Sequence, residues 1–294
     1  MDGVLYRAAG AEDIPEAAKV YVVARNDMLT RNRLTVPEGD PAAAEAELRH
    51  ILQNGIFQVA EVGGRLAAVC YAIVRDGIWF LSGFWVLPEM QGQKVGGPLL
   101  RRVWEAGRSA GARVFCVWSS VDTTAMASYM KLGMLPGTQI LRFSGPAGSL
   151  ALPDAPAAYE TQPLTMADAA AIDQLVRGAP RKVDHQFWAA ETGRHGTLVL
   201  HRGKSAGYYY VLDSGEVAPA AWLEPADGAA VLTLACREGI ARAGKTGLKC
   251  VGSNHQAIQF ALASGMRLDG FSHFLTSGAF GKLEQYVTSG PLLF

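Results

Sequence analysis

Residues 84–107, FWVLPEMQGQKVGGPLLRRVWEAG, hold the residue types whose spacing carries the most chemistry. An apolar strand pattern ends near Pro88. The chain then passes through Gln91, Gly92, Gln93, Lys94, Val95, Gly96 and Gly97 into the helical periodicity of Leu99, Leu100 and Val103. Glycine at 92, 96 and 97 removes side chains that would keep a ligand off the main chain. Successive N–H groups at a helix start can then be aimed at an anion. Pro98 suits the first turn, where a missing N–H costs least. Two readings fit: a cradle for a diphosphate, or a plain strand-to-helix turn. The pattern is neither G-x-G-x-x-G nor a P-loop, which disfavours NAD and ATP sites.

Further along stand Asp122, Ala125, Tyr129, Gly133 and Met134. Asp122 is placed to cap a helix over 123–132. A phenol titrates near 10, so Tyr129 stays protonated at neutral pH and is able to donate a proton; the alternative is one more apolar-face residue of that helix. A general base is harder to find. Between Gly77 and Pro88 there is no Asp, Glu or His. Glu89 reads as solvated, His50 as a helix-surface residue, and Asp27 as part of a polar loop over 26–40. His185, His195, His201, His255 and His273 have no HxxxH or HExxH spacing, so no metal site is expected. Cys70, Cys116, Cys236 and Cys250 lack C-x-x-C spacing and read as buried, reduced thiols.

The elements that must position these residues follow from the patterning. A strand at 4–8 leads to a helix at 12–25, a loop at 26–40 and a helix at 41–54. Strands at 57–62, 66–75 and 78–87 form a meander, with a turn at Asp76-Gly77. A helix at 97–110, a strand at 113–119, the helix at 123–132 and a strand at 138–143 complete a mixed α/β order.

The pattern then repeats. AMASYMKLGM (125–134) matches AIQFALASGM (257–266), with Gly133-Met134 against Gly265-Met266. EVGGRLAAVCY (61–71) matches LHRGKSAGYYY (200–210), AEDIPEAAKVY (11–21) matches MADAAAIDQLV (166–176), and LRFSG (141–145) matches FLTSG (274–278). SGPAGSLALPDAPAA (144–158) reads as a linker. Domains of 1–153 and 154–294 are expected. The second copy has two late strand candidates, 270–276 and 283–289, the last expected to cross over and complete a shared sheet.

Composition narrows the partners. The 294 residues carry 27 basic and 27 acidic side chains and are 49% hydrophobic. A sizeable core is affordable, and no charge excess invites nucleic acid. The longest apolar run, Ile78 to Pro88, is too short to span a bilayer, and the N-terminus has no signal-peptide pattern. A cytoplasmic protein with no membrane partner, monomeric or homodimeric, is the expectation.

The segment V-x-P-E-x-Q-G-Q-K-V-G-G-P-L-L resembles the signature loop of the GNAT superfamily of acyl-CoA N-acyltransferases, Gln/Arg-x-x-Gly-x-Gly/Ala after a strand and before a helix. Gln91, Val95 and Gly96 fit. Lys94 stands where the family has its first Gly, and its backbone is expected to fit only with φ negative. Asp122-x-x-Ala125-x-x-x-Tyr129-x-x-x-Gly133-Met134 resembles the family's Asn-x-x-Ala…Tyr…Gly-Phe segment. The resemblance covers residues 4–145.

It implies two tandem GNAT-like domains, with acetyl-CoA (coenzyme A) as cofactor and a primary amine of a small molecule as acceptor. Strands 78–87 and 113–119 would splay, pantetheine would run along Phe84, Trp85 and Val86, and the diphosphate would lie on Gln91–Gly97. Asp122 would touch pantetheine as well as cap its helix, and Tyr129 would be the general acid. The second copy is similar but eroded: after Trp222-Leu223-Glu224-Pro225 only Gly228 remains of the loop, and Ala261 replaces the tyrosine. It is expected not to bind acyl-CoA productively, and to serve as structural support or as one wall of the acceptor site. The alternative is a non-catalytic acyl-CoA-binding or sensing protein.

Overall fold

In the computed structural model, residues 3–36 and 41–294 are described, the side chain of Ala43 excepted. The chain divides into two compact units: a front unit of Met1–Leu135 with Leu275–Gly278, and a rear unit of Pro136–Phe274 with Ala279–Phe294.

The front unit begins with β1 (Val4–Ala8), α1 (Ile14–Arg31) and α2 (Glu45–Asn54). The helix α1 is longer than the 12–25 expected. Residues 26–31 continue it because Met28 keeps an apolar face inward and Arg31 pairs with Asp27 one turn back. Of the expected 26–40 loop only 32–36 are described as non-helical, and 37–40 lie outside the described residues. Next come β2 (Ile56–Val62), β3 (Arg65–Arg75) and β4 (Ile78–Val86), an antiparallel meander joined at Asp76-Gly77, whose positive φ values of 46° and 84° suit a tight hairpin. Then α3 (Gly96–Ser109), β5 (Val114–Ser119) and α4 (Thr123–Met130) follow.

Strand alternation sorts the two faces of this sheet. Cys70, Trp79 and Leu81 face α3 and α4, in a core with Leu99, Val103, Val117 and Tyr129. Tyr71 and Trp85 lie on the other face, where Tyr21 of α1 meets Trp85 edge-on. His50, expected at the surface, is buried on α2. All four cysteines are free and buried, as their apolar surroundings suggest.

The rear unit repeats the plan with β7 (Tyr159–Pro163), α5 (Met166–Val176), α6 (Lys182–Ala190), β8 (Arg194–His201), β9 (Lys204–Leu212), β10 (Glu216–Trp222), α7 (Gly228–Ala243), β11 (Lys245–Val251) and α8 (His255–Ala263). The late strands differ from expectation. β6 (Leu135–Pro146) comes from the front copy, yet over seven residues it pairs antiparallel with β11 in the rear unit. β12 (Arg267–Thr276) runs the other way: Leu275–Gly278 belong to the front unit, where the Ser277 N–H donates to Phe115 O at 2.8 Å. The copies have exchanged edge strands. The compact units part at Leu135/Pro136. β13 (Tyr286–Val287), the strand expected to cross over, stays in the rear unit.

Candidate active site

The strands β4 and β5 pair in parallel only from Ile78↔Val114 to Leu81↔Val117. Beyond Leu81, β4 stays paired with β3 through a bulge next to Tyr71 and on to Ala68↔Val86, while β5 falls away. The sheet opens into a wedge, and the edge of β4 over 82–86 faces it without a strand partner. Phe84, Trp85 and Val86 lie on that edge. An added extended chain is what such an edge accepts.

The loop closing the wedge folds as a strand-to-helix turn with unusual main-chain demands. Gly92 has φ 77° and Lys94 has φ 61°. The expectation of a negative φ at Lys94 is wrong: the residue takes the left-handed conformation itself, at a cost of about 1–2 kcal/mol for a side chain with a Cβ. The Gln91 amide donates to Val86 O at 3.1 Å and the Gln93 amide to Glu89 O at 2.6 Å, so both side chains brace the turn. Val95 is buried, and its carbonyl accepts from the Tyr6 hydroxyl at 3.1 Å.

Gly96 and Gly97 differ in why they are glycine. A Cβ on Gly96 would stand 2.8 Å from the Phe84 ring and 2.9 Å from Val86. Gly96 thus lets α3 press against the end of β4. A Cβ on Gly97 would meet nothing within 4 Å. No side chain caps α3. Its first N–H groups have no intrahelical acceptor and sit at the positive end of the helix dipole. This arrangement fits a diphosphate: open space above uncapped amides, next to an open strand edge.

Asp122 caps α4, accepting from the N–H groups of Thr124 and Ala125 at 2.9 and 3.0 Å. Tyr129, buried on α4, meets the Phe84 ring edge-on with centroids 6.3 Å apart. Burial, added to by Cys70 and Asp122, pushes its hydroxyl far above the ordinary phenol value, so it stays protonated. The sequence-marked residues are thus gathered at one end of β4. On the opposite face, the Tyr71 hydroxyl, Ser82 hydroxyl and Trp85 indole N–H are buried with no hydrogen-bond partner among the described residues. Each such group costs about 1–3 kcal/mol if left unmet. Glu89 is exposed, as its sequence suggested. Asp27 is bound to Arg31 at 2.8 Å. Sequence reasoning missed Arg31, whose only signal was the acid–base spacing of four that extends α1.

The equivalent place in the rear unit is closed three times over. β10 and β11 also pair in parallel and then part, at Glu216↔Gly247 and Val217↔Leu248. β13 fills that gap, pairing antiparallel with both strands at Ala220↔Val287 and Cys250↔Val287. Asp227 occupies the N-cap of α7, and the Tyr159 hydroxyl donates to its carboxylate at 2.9 Å. A Cβ on Gly228 would stand 2.2 Å from the Gln256 amide oxygen. A diphosphate would meet a carboxylate and a side chain there, and an extended ligand would meet a strand. Two cavities of the rear unit lie elsewhere: a charged one of about 200 Å³ around Arg142, Lys245 and Lys249, and one of about 310 Å³ beside Leu150 and Arg237. Among the described residues no group of His, Cys, Asp or Glu is arranged for a metal, and no helix is long and apolar enough to cross a membrane.

Residues 25–134 match the acetyltransferase (GNAT) family. No curated protein matches the sequence. Among solved structures, a Pyrococcus horikoshii protein held to be an acetyltransferase superposes with a TM-score of 0.78 at 14% identity, covering 100% of this chain and 97% of its own. A GCN5-related N-acetyltransferase from Sphaerobacter thermophilus gives 0.66 at 13% identity, covering 94% and 96%. A tandem GNAT protein of the clavulanic acid biosynthesis pathway gives 0.60 at 14% identity, covering 94% and 99%. At such identities the structures establish the fold, and the family match spans the stretch that holds the 91–97 loop and Tyr129. Residues 25–134, within the front unit, thus match the acetyltransferase (GNAT) family, and the chain as a whole shares its fold with solved acetyltransferases, a tandem GNAT protein among them.

Proposed function

We propose that the protein is an acyl-CoA-dependent N-acyltransferase that moves an acetyl group from acetyl-CoA to the primary amine of a small molecule, using the front unit alone. The observation that carries this reading is the open wedge beside uncapped amides at Gly96 and Gly97, set against the plugged wedge of the rear unit.

Gln91–Gly97 would hold the diphosphate, with the Lys94 ammonium adding positive charge. The free edge of Phe84, Trp85 and Val86 would hold pantetheine, and Asp122 would border it. When bound, the cofactor supplies an activated thioester acyl group. The protein's part is to bind, orient and protonate. The edge amides of β4 are placed to polarise a carbonyl lying in the wedge. The Tyr129 hydroxyl, held protonated beside Phe84, would supply a proton to the leaving sulfur and regain one from solvent. The amine would approach from the face carrying Tyr71, Ser82 and Trp85, where the buried Ser82 hydroxyl has no hydrogen-bond partner among the described residues. β4 carries no Asp, Glu or His, so the amine attacks as its neutral form and sheds its proton to solvent.

Calorimetric titration with acetyl-CoA, followed by an amine panel assayed for thiol release, tests the reading. One bound cofactor per chain with turnover supports it. Binding without turnover on any amine selects a sensing protein instead. A second reading with an active rear unit has no support, because β13, Asp227 and Gln256 occupy that site.

A further inference from the structure

Arg31, the last residue of α1, spans the mouth of the front wedge. One Nη donates toward Gln91 Oε1 at 3.4 Å, just past the end of β4, and toward Asp122 Oδ2 at 3.5 Å, just past the end of β5. Its Nε is anchored to Asp27 at 2.8 Å. The side chain is 47% exposed. Asp122 uses its other oxygen to cap α4, so its bond to the arginine is separable from its structural task.

The two bridging contacts are at the outer limit of hydrogen bonding and solvated, so they contribute little and exchange easily. A guanidinium binds phosphate oxygens better than it binds an amide and a distant carboxylate, because its fork of N–H groups matches them and the bond is charge-assisted. Any ligand lying on the Gln91–Gly97 loop and entering between the two strands must pass this group. We propose that Arg31 is a cofactor-binding residue: it leaves Gln91 and Asp122 for the diphosphate of coenzyme A, while Asp27 holds it in position at the wedge mouth. The proposal rests on the reading that the front loop binds coenzyme A. It assigns a cation outside the loop and α3 to the same diphosphate.

The test is equilibrium binding of CoA and of 3′-dephospho-CoA to the full chain and to Arg31→Gln, Arg31→Lys and Asp27→Asn. Thermal unfolding of each variant serves as a fold control. Loss of one charge-assisted bond predicts about a tenfold weaker Kd in Arg31→Gln for both ligands, since both retain the diphosphate. Partial recovery is expected in Arg31→Lys and a smaller loss in Asp27→Asn, with unfolding midpoints unchanged. Equal affinity in wild type and Arg31→Gln overturns the proposal. So does a loss confined to CoA, which would place the arginine on the 3′-phosphate. So does a loss in proportion to a lowered unfolding midpoint. If the wild-type chain binds neither ligand, the cofactor reading itself fails.

Discussion

Tyr129 has only one protonation state to offer near neutrality, because burial disfavours its phenolate and Cys70 and Asp122 add to the effect. The role proposed for it as proton donor is separable from binding. Tyr129→Phe is expected to lower kcat about a hundredfold while leaving the Kd of CoA within twofold, read by steady-state kinetics and calorimetry. A matching loss of affinity would assign the hydroxyl to binding. The rate should also rise with pH as the acceptor amine loses its proton, since no carboxylate or histidine on β4 takes that proton earlier. In the rear unit a different residue dominates. Asp173 is fully buried, ion-paired to Arg181 at 2.7 Å and in contact with His185 at 3.0 Å; the Tyr208 hydroxyl donates to it at 2.6 Å. Burial works against its ionisation, but Arg181, His185 and Arg177 outweigh that and hold the carboxyl below its usual range. A depressed folded-state value means that this stabilisation is present in full above the unfolded carboxylate value and is lost as pH falls below about 4. Asp173→Asn strands a buried guanidinium. It is expected to cost about 3–5 kcal/mol in chemical denaturation and to flatten the acid limb of the stability profile.

At the scale of elements, the start of α3 separates packing from binding within two residues. Gly96→Val drives a side chain into Phe84 and Val86 and is expected to cost about 1–3 kcal/mol of stability. Gly97→Glu enters open space and places a carboxylate in the first turn, where the helix dipole favours it. It should unfold no earlier than the wild type, yet weaken CoA binding at least tenfold by charge repulsion; differential scanning calorimetry and titration read the two effects. The sequence marked this loop, the meander and the hairpin turns because glycine placement and apolar alternation are local signals. It did not distinguish Gly96 from Gly97, since what a Cβ would meet is set by Phe84 and Val86 across a strand end. It misjudged Lys94, because the loop's geometry imposes a left-handed residue whatever its identity. It ended α1 too soon, at polar residues that a salt bridge and Met28 keep helical.

Across the whole molecule, the repeat was legible and the exchange of edge strands was not. LRFSG and FLTSG are so alike that each pattern suits either sheet edge, and alternation cannot say which copy a strand joins. Nor does a two-residue strand, Tyr286–Val287, announce that it fills the rear wedge. The exchange predicts that cutting at the 144–158 linker yields two fragments that each lack a strand of their own unit. Separately expressed 1–150 and 151–294 should be poorly folded by circular dichroism and hydrogen exchange, where independent domains would each melt cooperatively. Removing 280–294 takes away β13 and exposes the edges of β10 and β11, so the rear unit should lose stability first.

The sharpest test is the stoichiometry of coenzyme A on the intact chain, measured by isothermal titration calorimetry in wild type and Gly97→Glu at one salt concentration. One site per chain is expected in the wild type, and its loss or a tenfold weakening in the variant. No binding, two equal sites, or a variant that binds as tightly as the wild type would contradict the assignment of the front wedge and its amides as the cofactor site.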